Sequence, residues 1–159
     1  MKIRSGFVSN SSSASFFLTV RVPVYGFATI FTKLFPEFSK ETFKVELKNR
    51  IIEVKKSISK ITTNTRDWEV HWITSNKKQL KGYKALLKSL ENLELDKYVI
   101  EYFKFHNYFI QQDTLGNTTL NGYTTMYNSD EDMGELFLEV VKRLKKNKTP
   151  HKVEVYHES

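Results

Sequence analysis

The sequence predicts an α+β fold, a mostly antiparallel sheet with about three helices packed on it in the order ββα βα ββ α β. Three observations carry that expectation. Short runs rich in aromatic and β-branched residues alternate with a period of two, as pleated strands do. Longer segments repeat apolar residues every three or four positions, as one face of a helix does. No internal repeat and no long linker interrupts the 159 residues, so a flexible Ser-rich leader over 1–15 and a single domain over 16–159 are expected.

The elements follow in order. Phe16 to Val22 is aromatic and β-branched and reads as a strand. Pro23 to Gly26 supplies turn chemistry. Phe27 to Phe35 alternates Phe27, Thr29, Phe31 and Lys33 against Ala28, Ile30, Thr32 and Leu34, which completes a predicted hairpin. Pro36 stops that strand. Ser39 caps a first helix, and Leu47, Ile51, Val54, Ile58 and Ile61 form its apolar stripe. Thr62 to Thr65 is a linker. Trp68, Val70 and Trp72 alternate with Asp67, Glu69 and His71 as in a half-buried strand. Ser75 caps a second helix over 76–93, with Leu80, Tyr83, Leu86, Leu87, Leu90 and Leu93 inward.

Tyr98 to Ile110 (YVIEYFKFHNYFI) is dense in strand-favouring rings and is assigned to a strand. Asp113 to Tyr127 holds turn residues at Gly116-Asn117 and Asn121-Gly122 and predicts turn and strand. Ser129 or Asp130 caps a third helix whose inner face is Met133, Leu136, Phe137, Val140, Val141 and Leu144. After Pro150, Lys152 to Tyr156 forms a last strand, with Val153 and Val155 on one side.

Composition removes whole classes of chemistry. Cysteine is absent, which excludes disulfides, thiolate nucleophiles, zinc fingers and iron–sulfur clusters. Six glycines and no GxxxxGK[ST] or GxGxxG give no glycine-rich phosphate loop. Phe16 to Phe35, the most apolar stretch, is broken by Arg21, Pro23 and Lys33, too often for a bilayer helix. A polar Ser/Asn run follows Met1-Lys2-Ile3-Arg4 where a secretory signal has its apolar region, so a reducing cytosol is the expected compartment. The four histidines show no HxH or HExxH spacing, and neither a metal nor another cofactor is expected.

Formal net charge is +7, with the basic excess in residues 1–60 and a small acidic excess after residue 100. One basic pattern stands out. Lys77, Lys81, Lys84 and Lys88 recur at spacings of 4, 3 and 4, with no acid between Asn76 and Leu90. At 100° per residue they form one column. Like charges at this spacing repel by a few tenths of a kcal/mol each, and cations near a helix N-terminus oppose its dipole. A column that works against its own helix points to an anionic partner. Lys44, Lys48 and Lys55 make a second row along one flank of the first helix, with Glu46 and Glu53 on the other. The cluster Lys142, Arg143, Lys145, Lys146 and Lys148 needs no ligand, because its helix opens with acids and closes with bases, as the dipole favours. The rings of 98–110 are interrupted by one lysine, Lys104, and belong to a core rather than to base stacking.

At the N-terminus, Arg4-Ser5-Gly6-Phe7-Val8-Ser9-Asn10-Ser11-Ser12-Ser13-Ala14-Ser15-Phe16 resembles the R-x-GFVSNSSSSSF leader of small uncharacterised proteins from bacteriophages and low-GC bacteria, with Ala14 departing from its serine run. The resemblance implies a phage or prophage origin and no particular fold. The expected function is non-catalytic: an accessory or host-takeover protein that binds nucleic acid or an acidic host protein through the basic helix face. The alternatives are a virion component assembling through the hairpin and the leader, and a small enzyme using Asp67, Glu69 and His71 on one strand face.

Overall fold

The computed structural model describes residues 13–60, 67–124 and 134–158. Its elements are β1 (Ser13–Val20), α1 (Val24–Leu34), α2 (Lys40–Ser59), α3 (Asp67–Ser89), a 3₁₀ turn (Leu90–Asn92), α4 (Leu95–Phe105), β2 (Phe109–Gln112), β3 (Thr118–Thr124), α5 (Glu135–Lys146) and β4 (His151–Glu158). The α+β class and the antiparallel sheet stand. Five α-helices are present among the described residues rather than three. The chain divides into two compact units. One takes the residues up to Pro36 and those from Leu95 onward; the other is Glu37–Glu94.

The first unit holds a four-stranded sheet in the order β2-β3-β1-β4, with every neighbouring pair antiparallel. Along the chain its elements run β1, α1, α4, β2, β3, α5, β4, two interleaved β-α-β units with a second unit inserted between α1 and α4. β1 alternates cleanly: Ala14, Phe16, Leu18 and Val20 are buried, while Ser15, Phe17 and Thr19 are half-buried on the other face. The buried side is a lattice of rings. Phe16 meets Phe137 of α5 edge-on at 4.6 Å, and Phe31 of α1 meets Phe103 of α4 at 4.9 Å. Gly122 on β3 is the close approach that permits this, since a Cβ there would fall 2.2 Å from the Phe16 ring and 2.7 Å from Tyr108.

Polar groups fix the edges of this unit. Arg143 on α5 donates from Nη1 to the Leu34 carbonyl at 2.9 Å, satisfying an open C-terminal carbonyl of α1. Its guanidinium lies 4.0 Å over the Phe35 ring, and Nε pairs with Glu139 at 3.0 Å. Between β2 and β3 the Asp113 carboxylate accepts the Leu115 and Asn117 N–H groups at 2.9 and 2.8 Å. These bonds, first the one from the Asn117 backbone, hold Asp113 below the usual carboxylate range.

Several expected elements take a different form. Phe27 to Phe35 is helix α1 rather than the second strand of a hairpin. Phe27, Phe31 and Phe35 are four apart, a spacing that fits one strand face and one helix face alike, and all three rings are buried. Tyr98 to Phe105 is helical within α4, with Val99 and Phe103 buried, so only Phe109 and Ile110 of that run are in a strand. Asn107, in the left-handed region at φ 67°, ends the helix, and the Tyr108 N–H reaches back to the Phe103 carbonyl at 2.8 Å. Asp67 to Trp72 forms the first turns of α3 and not a strand, which leaves Ser75 inside a helix rather than at its cap. Helix α5 starts at Glu135 after Gly134, whose φ of 101° suits glycine. Its expected cap, Ser129 or Asp130, lies outside the described residues, as do Met133, Ile61, the linker 62–65 and most of the Ser-rich leader. Strand β1 begins at Ser13, inside the serine run.

The second unit is a helical pair. Ser39 caps α2 through a reciprocal pair of bonds with Thr42, and Phe43, Leu47, Ile51 and Val54 are buried along one stripe. Lys40, at the start of α2, donates from Nζ to the Leu93 carbonyl at 2.7 Å and to that of Glu91 at 3.2 Å, just past the end of α3. The start of one helix therefore meets the end of the other, and α2 and α3 pack antiparallel.

Candidate functional site

Helix α3 carries the lysine column. Lys77, Lys81, Lys84 and Lys88 are all exposed, and none meets a carboxylate among the described residues. Glu91 extends the column by a further step of three, just beyond α3. On α2, Lys48 and Lys55 are exposed and likewise unpaired among the described residues. Both lie within about 40° of Lys44 around the helix axis.

One contact relates the two rows. Lys44 forms an ion pair with Glu91, so the first member of the α2 row touches the last member of the α3 column. In an antiparallel helix pair, flanks of the same hand share one side. The Lys44–Glu91 pair places the α2 row and the α3 column on that common side. Lys48, Lys55, Lys77, Lys81, Lys84 and Lys88 thus line one face of the helical pair. Glu46 and Glu53 lie about 140–180° from those α2 lysines, on the far flank, and Glu53 meets Arg50 at 3.7 Å.

Lys44 departs from its expected role. Its side chain is 20% exposed and is neutralised by Glu41 and Glu91, so it fastens the end of the pair instead of offering a free charge. The α3 column is strained by its own spacing, although Lys88 lies in the last turn, where the helix dipole favours a cation. Lys77, Lys81, Lys84 and Lys88 repel one another at i,i+3 and i,i+4 by a few tenths of a kcal/mol each. From Lys77 to Lys88 the column runs about 16 Å along the axis.

The other candidates are resolved differently. Most of the rings of 98–110 serve the core, with Phe103, Phe105 and Tyr108 buried. Burial pushes the Tyr108 phenol above its ordinary range. Positions 67, 69 and 71 lie on a helix, where a two-residue step turns about 200°, so the common strand face expected for Asp67, Glu69 and His71 is not formed. Among the described residues no group of three or more His, Asp or Glu side chains could hold a metal, and no helix is long and apolar enough to cross a membrane.

A feature the sequence reading passed over is an open cleft of about 410 Å³ at one end of the sheet, lined by Thr19, Arg21, Asn117, His151, Lys152 and Glu154 among others. Its residues come from three chain segments, and their alternation along β1 and β4 was the available signal. Comparison with protein-family models, curated proteins and solved structures returned no match to this chain.

Proposed function

We propose that this protein is a non-catalytic nucleic-acid-binding protein that grips the phosphate backbone with the basic face of the α2–α3 pair. The observation that carries the reading is the row of six exposed lysines on one side of two helices, none paired with a carboxylate among the described residues. Phosphate oxygens supply the missing counter-charge, and flexible ammonium groups suit a backbone read without sequence preference. The leader's resemblance to phage proteins supports an accessory or host-takeover role in a bacterial cytoplasm.

The test is binding of a fluorescent random duplex at two or more salt concentrations. Log affinity falls linearly with log salt, with a slope of roughly 0.9 per phosphate contact. Reversing two charges, Lys81→Glu with Lys84→Glu, lowers that slope by about two contacts' worth. Absence of binding at low salt, or an unchanged slope in the double variant, overturns the proposal. An acidic polypeptide that binds the same face while the duplex does not redirects it to a protein partner.

A further inference from the structure

The sheet has a second face on which no helix of its own unit lies among the described residues. Cross-strand register defines it. Phe109, Asn121, Phe17 and Glu154 form one row across β2, β3, β1 and β4. Tyr123, Ser15 and Tyr156 form the row on one side of it, and Gln111, Thr119, Thr19 and Lys152 the row on the other. Rings therefore occupy two adjacent rows on the side of the sheet opposite Phe16, Leu18 and Leu120. They are open to solvent: Phe109 and Tyr123 are each 57% exposed and Tyr156 is 53% exposed. Phe17 and Tyr156 meet edge-on at 5.5 Å, which leaves ring faces available beside them.

The polar end of the same face is the cleft that Thr19 and Lys152 share with Arg21. Arg21 is exposed and has no carboxylate partner among the described residues. Lys152 lies 3.7 Å from Glu154, the acid of this face, and Glu154 also accepts the Tyr156 hydroxyl at 2.5 Å. That bond raises the Tyr156 pKa, so the ring stays neutral through the physiological range. His151 holds Nδ1 2.7 Å from the Thr149 carbonyl, which leaves Nε2 as its second polar atom.

Exposed rings on a four-stranded sheet, next to a guanidinium with no acid partner among the described residues, have one natural class of ligand. A single-stranded nucleic acid presents flat bases and a phosphate in alternation. A duplex hides its base faces, and an acidic peptide gives the rings nothing flat to stack on. We infer that this open sheet face binds single-stranded nucleic acid, with bases stacked on Tyr123, Phe17 and Tyr156 and a phosphate held in the cleft by Arg21 and Lys152. The inference uses a different unit and different groups from the lysine face, so either can fail alone.

The test uses the full chain with fluorescein-labelled oligo-dT and oligo-U of about ten nucleotides, and an abasic deoxyribose-phosphate strand of equal length. Oligo-dT and oligo-U bind, and the abasic strand binds at least ten-fold more weakly. Tyr123→Ala and Tyr156→Ala, both at exposed positions, each weaken oligo binding by about ten-fold or more. Arg21→Glu lowers the salt slope by about 0.7. Tyr123→Ala and Tyr156→Ala keep their effect on oligo binding in a Lys81→Glu, Lys84→Glu background, which separates this site from the lysine face. Equal affinity for the abasic strand overturns the inference. So do unaltered oligo affinities in both tyrosine variants when their circular dichroism and melting temperature match the parent. A dimer in light scattering that either tyrosine variant converts to monomer also overturns it, because a second copy then occupies the face.

Discussion

The sheet unit and the helical pair are stabilised in different ways. In the sheet unit, Phe16, Phe27, Phe31, Phe103, Tyr108 and Phe137 interlock, and β1 is tied to β3 and β4, both distant in sequence. In the helical pair, a narrow stripe of Phe43, Leu47, Ile51 and Val54 is buried on α2, while most of the described part of α3 is exposed or half-buried. The first arrangement leaves little polar surface unassigned on its inner side. The second leaves a row of cations that nothing in the chain neutralises among the described residues. The contrast teaches that the aromatic content needed for stability and the charge available for recognition sit mainly in separate pieces of the molecule.

Truncation at each core sharpens this comparison most. Phe103→Ala removes a ring that touches Phe27, Phe31 and Tyr108, and costs about 3–5 kcal/mol in urea unfolding. Leu47→Ala costs about 2–5 kcal/mol. It raises amide exchange across 40–59 more than in β1 and β3. Equal loss of protection in both places would break the distinction between the units. Next in size is Gly122→Ala, where the added methyl meets the rings of Phe16 and Tyr108 and costs about 1–3 kcal/mol. Thermal melting checks it, and an unchanged midpoint would mean that the ring lattice yields easily. The smallest effect has the opposite sign. Lys81→Glu turns three like-charge neighbours, Lys77, Lys78 and Lys84, into ion-pair partners and stabilises α3 by roughly 0.3–0.5 kcal/mol, while the same change weakens duplex binding. A variant that loses both stability and binding would indicate that the column has a structural role instead.

Much of this was readable from the residues, for identifiable reasons. Helix α2 announced itself through Ser39 and the Leu47–Ile51–Val54 stripe because twenty residues give several turns over which a period can be told apart. Helix α1 did not, because Phe27, Phe31 and Phe35 at four-residue intervals satisfy a strand and a helix alike over only 11 residues. In α4 the ring-rich composition argued for a pleat, but tertiary burial of Val99, Phe103 and Phe105 prevailed over propensity. The stop at Asn107 was visible only as a residue type that tolerates positive φ. The lysine column was legible as a spacing. That it shares a side with Lys48 and Lys55 was not, because it follows from one contact between distant positions, Lys44 with Glu91. The open aromatic face was hidden for the same reason: its rings belong to four strands, and only the register sets them side by side.

The insertion of residues 37–94 between α1 and α4 has a consequence for how the chain acquires its shape. The two inserted helices are neighbours in sequence and can zip together quickly, with a short loop to close. β1 must wait for β3 and β4, which join it from the far end of the polypeptide, and that search carries the larger entropic toll. A nascent molecule should therefore display its cationic hairpin before its sheet is closed, a fast piece embedded in a slow one.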